Sequence, residues 1–164
     1  MERRELFSFL SSSLTSAGNE KEIIIRPPYY SDITAFDTEC QNCDGKCATL
    51  CQEQIIIIGE DKTPRLSFSN SGCTYCDDCA IACEPNVLQV ESVRQIDVGV
   101  RINESTCMSW SGVMCFSCKD PCLEDAIEFK AMFMPTIDQE KCTSCGFCIS
   151  RCPSSAIDIK VISS

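Results

Sequence analysis

The sequence predicts an α+β fold assembled from four short repeats, and three observations carry that prediction. Sixteen of the 164 residues are cysteine, and they fall into four groups of four. The first cysteines of the groups, Cys40, Cys73, Cys107 and Cys142, stand 33, 34 and 35 residues apart, and a period in that range marks a repeating structural unit. Before and after each group the apolar residues alternate, which is the two-residue period of a short, half-buried strand. Each repeat is therefore expected to run as strand, cysteine loop, short helical turn and second strand.

The fourth group sets the chemistry. Cys142-x2-Cys145-x2-Cys148-x3-Cys152-Pro153 puts three thiols on one tight loop, where they can cap three corners of a cubane. The fourth follows a turn that Pro153 keeps from continuing. This is the run by which bacterial ferredoxins hold [4Fe–4S] clusters, and in two-cluster proteins the fourth cysteine serves the neighbouring cluster. The second group, Cys73, Cys76, Cys79 and Cys83, has the same spacing, with its proline displaced to Pro85. The third, Cys107, Cys115, Cys118 and Cys122, inserts a loop carrying Trp110 and Gly112, long enough to return Cys115 to the same corner. The first, Cys40, Cys43, Cys47 and Cys51, has one residue more than standard, and Gly45 is placed to absorb it in a turn.

Two other uses of so many cysteines fit less well. Zinc sites favour two separated Cys-x2-Cys knuckles, and disulfide frameworks rarely set cysteines two residues apart three times running. With no histidine in the chain, Rieske centres and His-ligated haem are excluded. All sixteen cysteines are thus expected to be ligands of four [4Fe–4S] clusters, in two bacterial dicluster ferredoxin modules with short helices and β-hairpins. Two pairings of the groups stay open. Sequential pairing joins first with second and third with fourth; nested pairing joins first with fourth and second with third. The stretches between groups are too alike to decide.

In chain order, residues 1–32 form an N-terminal extension outside the repeats. Leu6, Leu10 and Leu14, with Phe7 beside them, would share one face of a helix, suited to packing on the body or to docking on a partner. Pro27-Pro28 then forces an extended connection. Residues 33–92 are expected to form the first module and residues 93–164 the second. The strands before each group centre on Ile33 and Ala35, Leu66 and Phe68, Val100 and Ile102, and Pro135 and Ile137. Those after each group centre on Ile55, Ile56 and Ile58, on Val87, Leu88 and Val90, on Ala126, Ile127 and Phe129, and on Ala156, Ile157 and Ile159. Gly59 to Pro64 reads as the turn between the first two repeats. Met108, Met114, Met132 and Met134 are expected to pack inside, and Trp110 either packs or meets a partner.

Composition narrows the function further. The formal charge is −10, and each all-cysteinyl cluster would make it more negative. Such a field disfavours non-specific nucleic-acid binding and favours basic protein partners, although it also serves plain solubility. No apolar run has the length of a membrane span. Arg3-Arg4 followed by Leu6 to Leu10 weakly resembles a twin-arginine signal, but the apolar part is short and no cleavage site follows. A cytoplasmic protein without stable membrane insertion is expected. The chain shows no nucleophile–base pair and no phosphate loop, so an electron carrier is expected rather than an enzyme.

The four cysteine groups, Arg3-Arg4, the Arg26-Pro27-Pro28-Tyr29 approach and above all the long Cys107-x7-Cys115 gap resemble the NapF-type ferredoxins of periplasmic nitrate reductase systems over nearly the whole chain. The resemblance implies several [4Fe–4S] clusters, a cytoplasmic site, and contact with the molybdenum-containing catalytic subunit before its export. That contact would serve maturation, by electron supply or direct binding. An electron-transfer polyferredoxin subunit of another anaerobic oxidoreductase complex is the alternative. The extra residue between Cys43 and Cys47 is the one departure from the family pattern.

Overall fold

The computed structural model describes residues 23–161, so the helix expected through Leu6, Leu10 and Leu14 lies outside the described residues. From Ile23 the chain runs without regular structure through Pro27 and Pro28, both fully buried, and Tyr29 and Tyr30 carry it into the core. Tyr30 makes an antiparallel bridge with Leu88. Beside it the Gln89 N–H donates to Tyr29 O and the Arg94 N–H to Pro28 O, each at 2.7 Å.

The strand expected at Ile33 and Ala35 does not form. Ile33 is exposed, and Ala35–Glu39 is a helix, α1. Asp32 explains the change: its Oδ1 accepts the Thr34 N–H at 2.8 Å and the Thr34 hydroxyl at 2.7 Å, a local turn that competes with extended backbone and leads into helix. Helical spacing then drops Phe36 into the core, edge-on to Tyr30 at 5.2 Å between ring centroids and with the Arg26 guanidinium 4.7 Å from its centre. Arg26 is also tied down by donating to Thr63 Oγ1 at 2.6 Å and Pro64 O at 2.8 Å.

Helix α2 (Lys46–Thr49) precedes a hairpin of β1 (Ile56–Ile58) and β2 (Pro64–Leu66), paired from Ile56–Leu66 to Ile58–Pro64. Helix α3 (Asp78–Ile81) follows. The strand expected from Val87 to Val90 is reduced to the single Tyr30–Leu88 bridge, followed by a 3₁₀ turn, Val90–Ser92. The residue opposite Val90 in the Tyr30–Leu88 register is Pro28, which has no N–H to continue a ladder.

In the first hairpin the expectation holds only in part: Ile55 and Ile56 are buried but Ile58 is exposed, and Phe68 lies beyond β2, whereas in the second half the alternation is realised. Strand β3 (Val98–Ile102) pairs antiparallel with β6 (Ile157–Val161), from Val98–Val161 to Ile102–Ile157. Strands β4 (Ile127–Lys130) and β5 (Phe133–Ile137) form a hairpin whose register shifts at Phe129–Lys130, where Ala131 and Met132 turn the chain at positive φ. Helix α4 (Phe147–Ser150) lies between β5 and β6. Each half of the chain thus has one hairpin between its two cysteine groups. Each also pairs the backbone before its first group with the backbone after its second. Short helices and two-stranded antiparallel sheets together make the α+β class expected.

The core is apolar and sits between these pairings: Ile55, Leu88, Ile96, Val98, Val100 and Ile127 are each almost completely buried. The four methionines of the described residues are not part of it. Met108, Met114, Met132 and Met134 are all exposed, against the expectation of packing; Met132 is in the hairpin turn and Met134 faces outward beside buried Pro135 on two-residue alternation. Trp110 is half-buried, and its indole N–H donates to Pro135 O at 3.1 Å, which pins the inserted loop to β5.

Candidate metal centres

The repeat is written in the backbone as well as in the spacing. Gly45, Asp77 and Gly146 have φ of 69°, 65° and 86° and stand immediately before α2, α3 and α4, the helices that carry Cys47, Cys79 and Cys148. In each case the left-handed residue lies two positions before the third cysteine. The extra residue of the first group is therefore taken up between Cys43 and Gly45, and the geometry of Cys47 is preserved. After every fourth cysteine a second left-handed residue recurs: Gln54, Asn86, Asp125 and Ser155, at φ 53°, 59°, 45° and 49°. Their N–H groups close a turn onto the carbonyls of Cys51, Cys83, Cys122 and Cys152 at 3.0, 3.1, 3.2 and 3.2 Å. Positive φ is uncommon outside glycine, so its recurrence at matching places in all four repeats ties the irregular first and third groups to the regular ones. The third group lacks a helix; there Phe116 O accepts the Lys119 N–H at 2.8 Å, and Val113 N–H closes the inserted loop onto Met108 O at 3.0 Å.

These loops bring the cysteines together in fours, each combining three from one group with the last of another. Cys51, Cys73, Cys76 and Cys79 ring a small cavity walled by Pro27, Pro28, Tyr29, Ile55, Ile56 and Leu66. Cys107, Cys115, Cys118 and Cys152 ring another with Ile102, Pro135 and Ile157. Cys122, Cys142, Cys145 and Cys148 ring a third under Val100, Ala126, Ile127 and Ile137. Cys40, Cys43 and Cys47 have Cys83 as their fourth neighbour, close enough to oppose ionisation of Cys40 and Cys47. The exchange of fourth cysteines is between first and second groups and between third and fourth, which is the sequential of the two patterns.

The thiols are held in surroundings that resist charge. Burial pushes Cys40, Cys47, Cys73 and Cys118 up to about 11, and Cys79 and Cys148 to about 12, with neighbouring cysteines adding to the effect. Desolvation disfavours thiolate, so a cation that binds here must drive the protons off. Backbone donors are already aimed at sulfur. Leu88 N–H points to Cys83 Sγ at 3.3 Å, Ala126 to Cys122 at 3.4 Å and Ala156 to Cys152 at 3.2 Å. Tyr75 N–H reaches Cys73 Sγ at 3.4 Å and Gly45 N–H reaches Cys43 Sγ at 3.5 Å.

The donor set suits a multi-iron group. Zinc needs its sulfurs crowded about 2.3 Å from one point. Here the thiols of each of these three quartets line a cavity whose other walls are mostly apolar. Apolar walls, sulfur-only donors and N–H groups on sulfur are what an iron–sulfur cluster requires.

Several residues around these cavities have supporting roles that the sequence does not reveal, Tyr29 among them although its segment marked the resemblance. Tyr29, buried, accepts the N–H of left-handed Asp77 on its hydroxyl at 3.3 Å and so supports the second loop. Ser144, also buried, donates to Val98 O at 2.5 Å and ties the fourth loop to β3. An aromatic after two prolines and a serine between cysteines look ordinary in one dimension. Among the described residues no helix is long and apolar enough to cross a membrane.

Comparison with known proteins agrees with this chemistry. The 4Fe-4S binding domain family matches residues 135–158, across the fourth group. The ferredoxin-type protein NapF of Escherichia coli strain K12 is 33% identical over 137 residues, 81% of this chain and 82% of that protein. NapF of Haemophilus influenzae is 29% identical over 94% of this chain and 91% of its own length. The methylamine utilization ferredoxin-type protein MauM of Methylorubrum extorquens is 28% identical over 93% of this chain and 79% of its own.

Proposed function

The chain belongs to the NapF family of ferredoxin-type proteins, and from that premise we propose that it carries four [4Fe–4S] clusters and serves a periplasmic nitrate reductase system from the cytoplasm, assisting maturation of the molybdenum-containing catalytic subunit. The observation that carries the cluster count is the left-handed turn after the last cysteine, which recurs in all four groups, the irregular first and third included. In this reading all sixteen cysteines are ligands, in the crossed quartets described above. The division at residue 92 separates two dicluster modules.

A [4Fe–4S] cluster, when bound, supplies one-electron exchange. The chain's part is to fix four thiolates, to stabilise their charge with the N–H groups of Leu88, Ala126, Ala156, Tyr75 and Gly45, and to keep water from sulfur with apolar walls. We read the protein as a carrier or assembly factor without catalysis of its own. It would act on the catalytic subunit by electron supply or by direct contact. The second reading is an electron-transfer polyferredoxin subunit of another anaerobic oxidoreductase complex; a relative named for methylamine utilization shows that similar ferredoxin-type proteins are not confined to nitrate reductase systems.

Iron and acid-labile sulfide analysis of anaerobically prepared protein tests the cluster count, at about 16 of each per chain. Saturation at half that value, with zinc in the remainder, would defeat it. Capture experiments separate the two functions. A transient complex with the unexported apo-subunit supports maturation, and a stoichiometric complex that persists through turnover supports the electron-transfer subunit.

A further inference from the structure

The two halves of the chain meet where the second and fourth cysteine loops run against each other. Cys73 N–H donates to Cys145 O at 2.7 Å, a backbone bond between two loops on which the metal reading places ligands. Gly72, just before it, has no room for a side chain: a Cβ there would lie 2.7 Å from Cys145 O and would overlap the backbone nitrogen of Phe147. The fourth loop answers in kind, since a Cβ on Gly146 would overlap the ring of Phe68. Both contacts involve backbone or a buried ring, which cannot swing aside.

Tyr75 closes the same seam. Its N–H points to Cys73 Sγ, while its hydroxyl donates to Thr143 O at 2.6 Å, between Cys142 and Cys145. That hydroxyl also accepts the Ile96 N–H at 3.3 Å, and Gln95 next to it donates to Cys142 O at 2.6 Å. One residue thus touches a second-group thiol with its backbone and the fourth loop with its side chain. An open cleft lies alongside, lined in common by Cys73, Tyr75, Gln95, Cys142 and Cys145.

We propose that Gly72 and Tyr75 are positioning residues that hold the quartet completed by Cys51 and the quartet completed by Cys122 as neighbours across the two halves, so that the four cluster sites run in the order first, second, fourth, third. Within the first half, helices α2 and α3, which carry Cys47 of the first quartet and Cys79 of the second, pack against each other. In the second half, β3–β6 and β4–β5 wall both the third and the fourth quartets. The sites of the first and third quartets are therefore the ends of the row.

This inference rests on the cluster reading, and the test separates them. Cys40→Ala, Cys43→Ala, Cys107→Ala and Cys115→Ala together leave the second and fourth quartets complete. On full reduction this chain is expected to show the broad, split EPR spectrum of two interacting spins. The complementary chain, keeping only the first and third quartets, is expected to show two independent spectra. Adding Gly72→Ala to the first chain should remove the interaction at unchanged iron content, and Tyr75→Phe should weaken it. Loaded iron with independent spectra from the second and fourth sites overturns the inference and leaves the cluster reading standing. A full-length chain that takes up no iron overturns both. Should the depleted chains fail to load, an iron-edge anomalous map of the full holo-protein decides. Four peaks in the order first, second, fourth, third support the proposal, and any other order overturns it.

Discussion

At the scale of single residues, the cysteines are the most legible part of the sequence and the residues that aim them are the least. Spacing marks all sixteen thiols as candidate ligands, because ligation demands fixed offsets. It cannot say which last cysteine joins which trio, because that depends on how separated loops fold back. The structure puts Cys83 beside Cys40 and Cys47, and Cys51 in the cavity with Cys73, Cys76 and Cys79. Cys83→Ser is therefore expected to disturb the centre on Cys40, Cys43 and Cys47 and to spare the one on Cys73, Cys76 and Cys79, read by site-assigned EPR of the reduced variant. A disturbance confined to the Cys107, Cys115 and Cys118 centre would instead require nested ligation. Gly146 gives a second prediction. It combines φ of 86° with a place against the Phe68 ring, so Gly146→Ala adds backbone strain to overpacking, at about 1–3 kcal/mol. Denaturant unfolding of the holo-protein should show that loss, with faster iron release from the fourth quartet.

Among the elements, legibility follows the source of the order. Strands β3, β4, β5 and β6 were readable because tertiary burial imposes a two-residue period on Val98 to Ile102, Ile127 to Phe129, Pro135 to Ile137 and Ile157 to Ile159. The reading failed where a local hydrogen bond or a proline outranked that period. Asp32 turns the chain at Thr34 and makes α1, and Pro28 ends the ladder opposite Val90. Left-handed positions such as Gln54 and Ser155 were invisible, since neither residue type announces positive φ. Helix α1 matters because it delivers Phe36, completely buried between Tyr30 and Arg26, just ahead of Cys40. Phe36→Ala leaves a cavity and removes two ring contacts, so it should cost about 3–5 kcal/mol. Chemical unfolding measures the loss, and the first-quartet centre should be the earliest to release iron.

The molecule as a whole divides its charge unevenly. Residues 1–26 contain Arg3, Arg4, Lys21 and Arg26 against Glu2, Glu5, Glu20 and Glu22, so the whole formal charge of −10 resides in the remainder. The structure withdraws Arg26 from any partner role, because its guanidinium lies over Phe36 and bonds Thr63 and Pro64. What remains for a partner at this end is the stretch with Arg3, Arg4 and the apolar stripe of Leu6, Leu10 and Leu14, a pattern suited to laying a helix in a groove. Among the described residues the buried framework begins at Ile25, whose carbonyl accepts the Leu66 N–H at 2.7 Å, and all sixteen cysteines come after it. Deleting residues 1–20 is thus expected to leave iron content unchanged and to weaken capture of the unexported catalytic subunit. If the segment serves the fold instead, the truncated protein should lose stability and iron while whatever stays folded still binds. Iron analysis and capture measured on one truncated preparation distinguish these outcomes, and full iron with undiminished capture would refute a docking role for the segment.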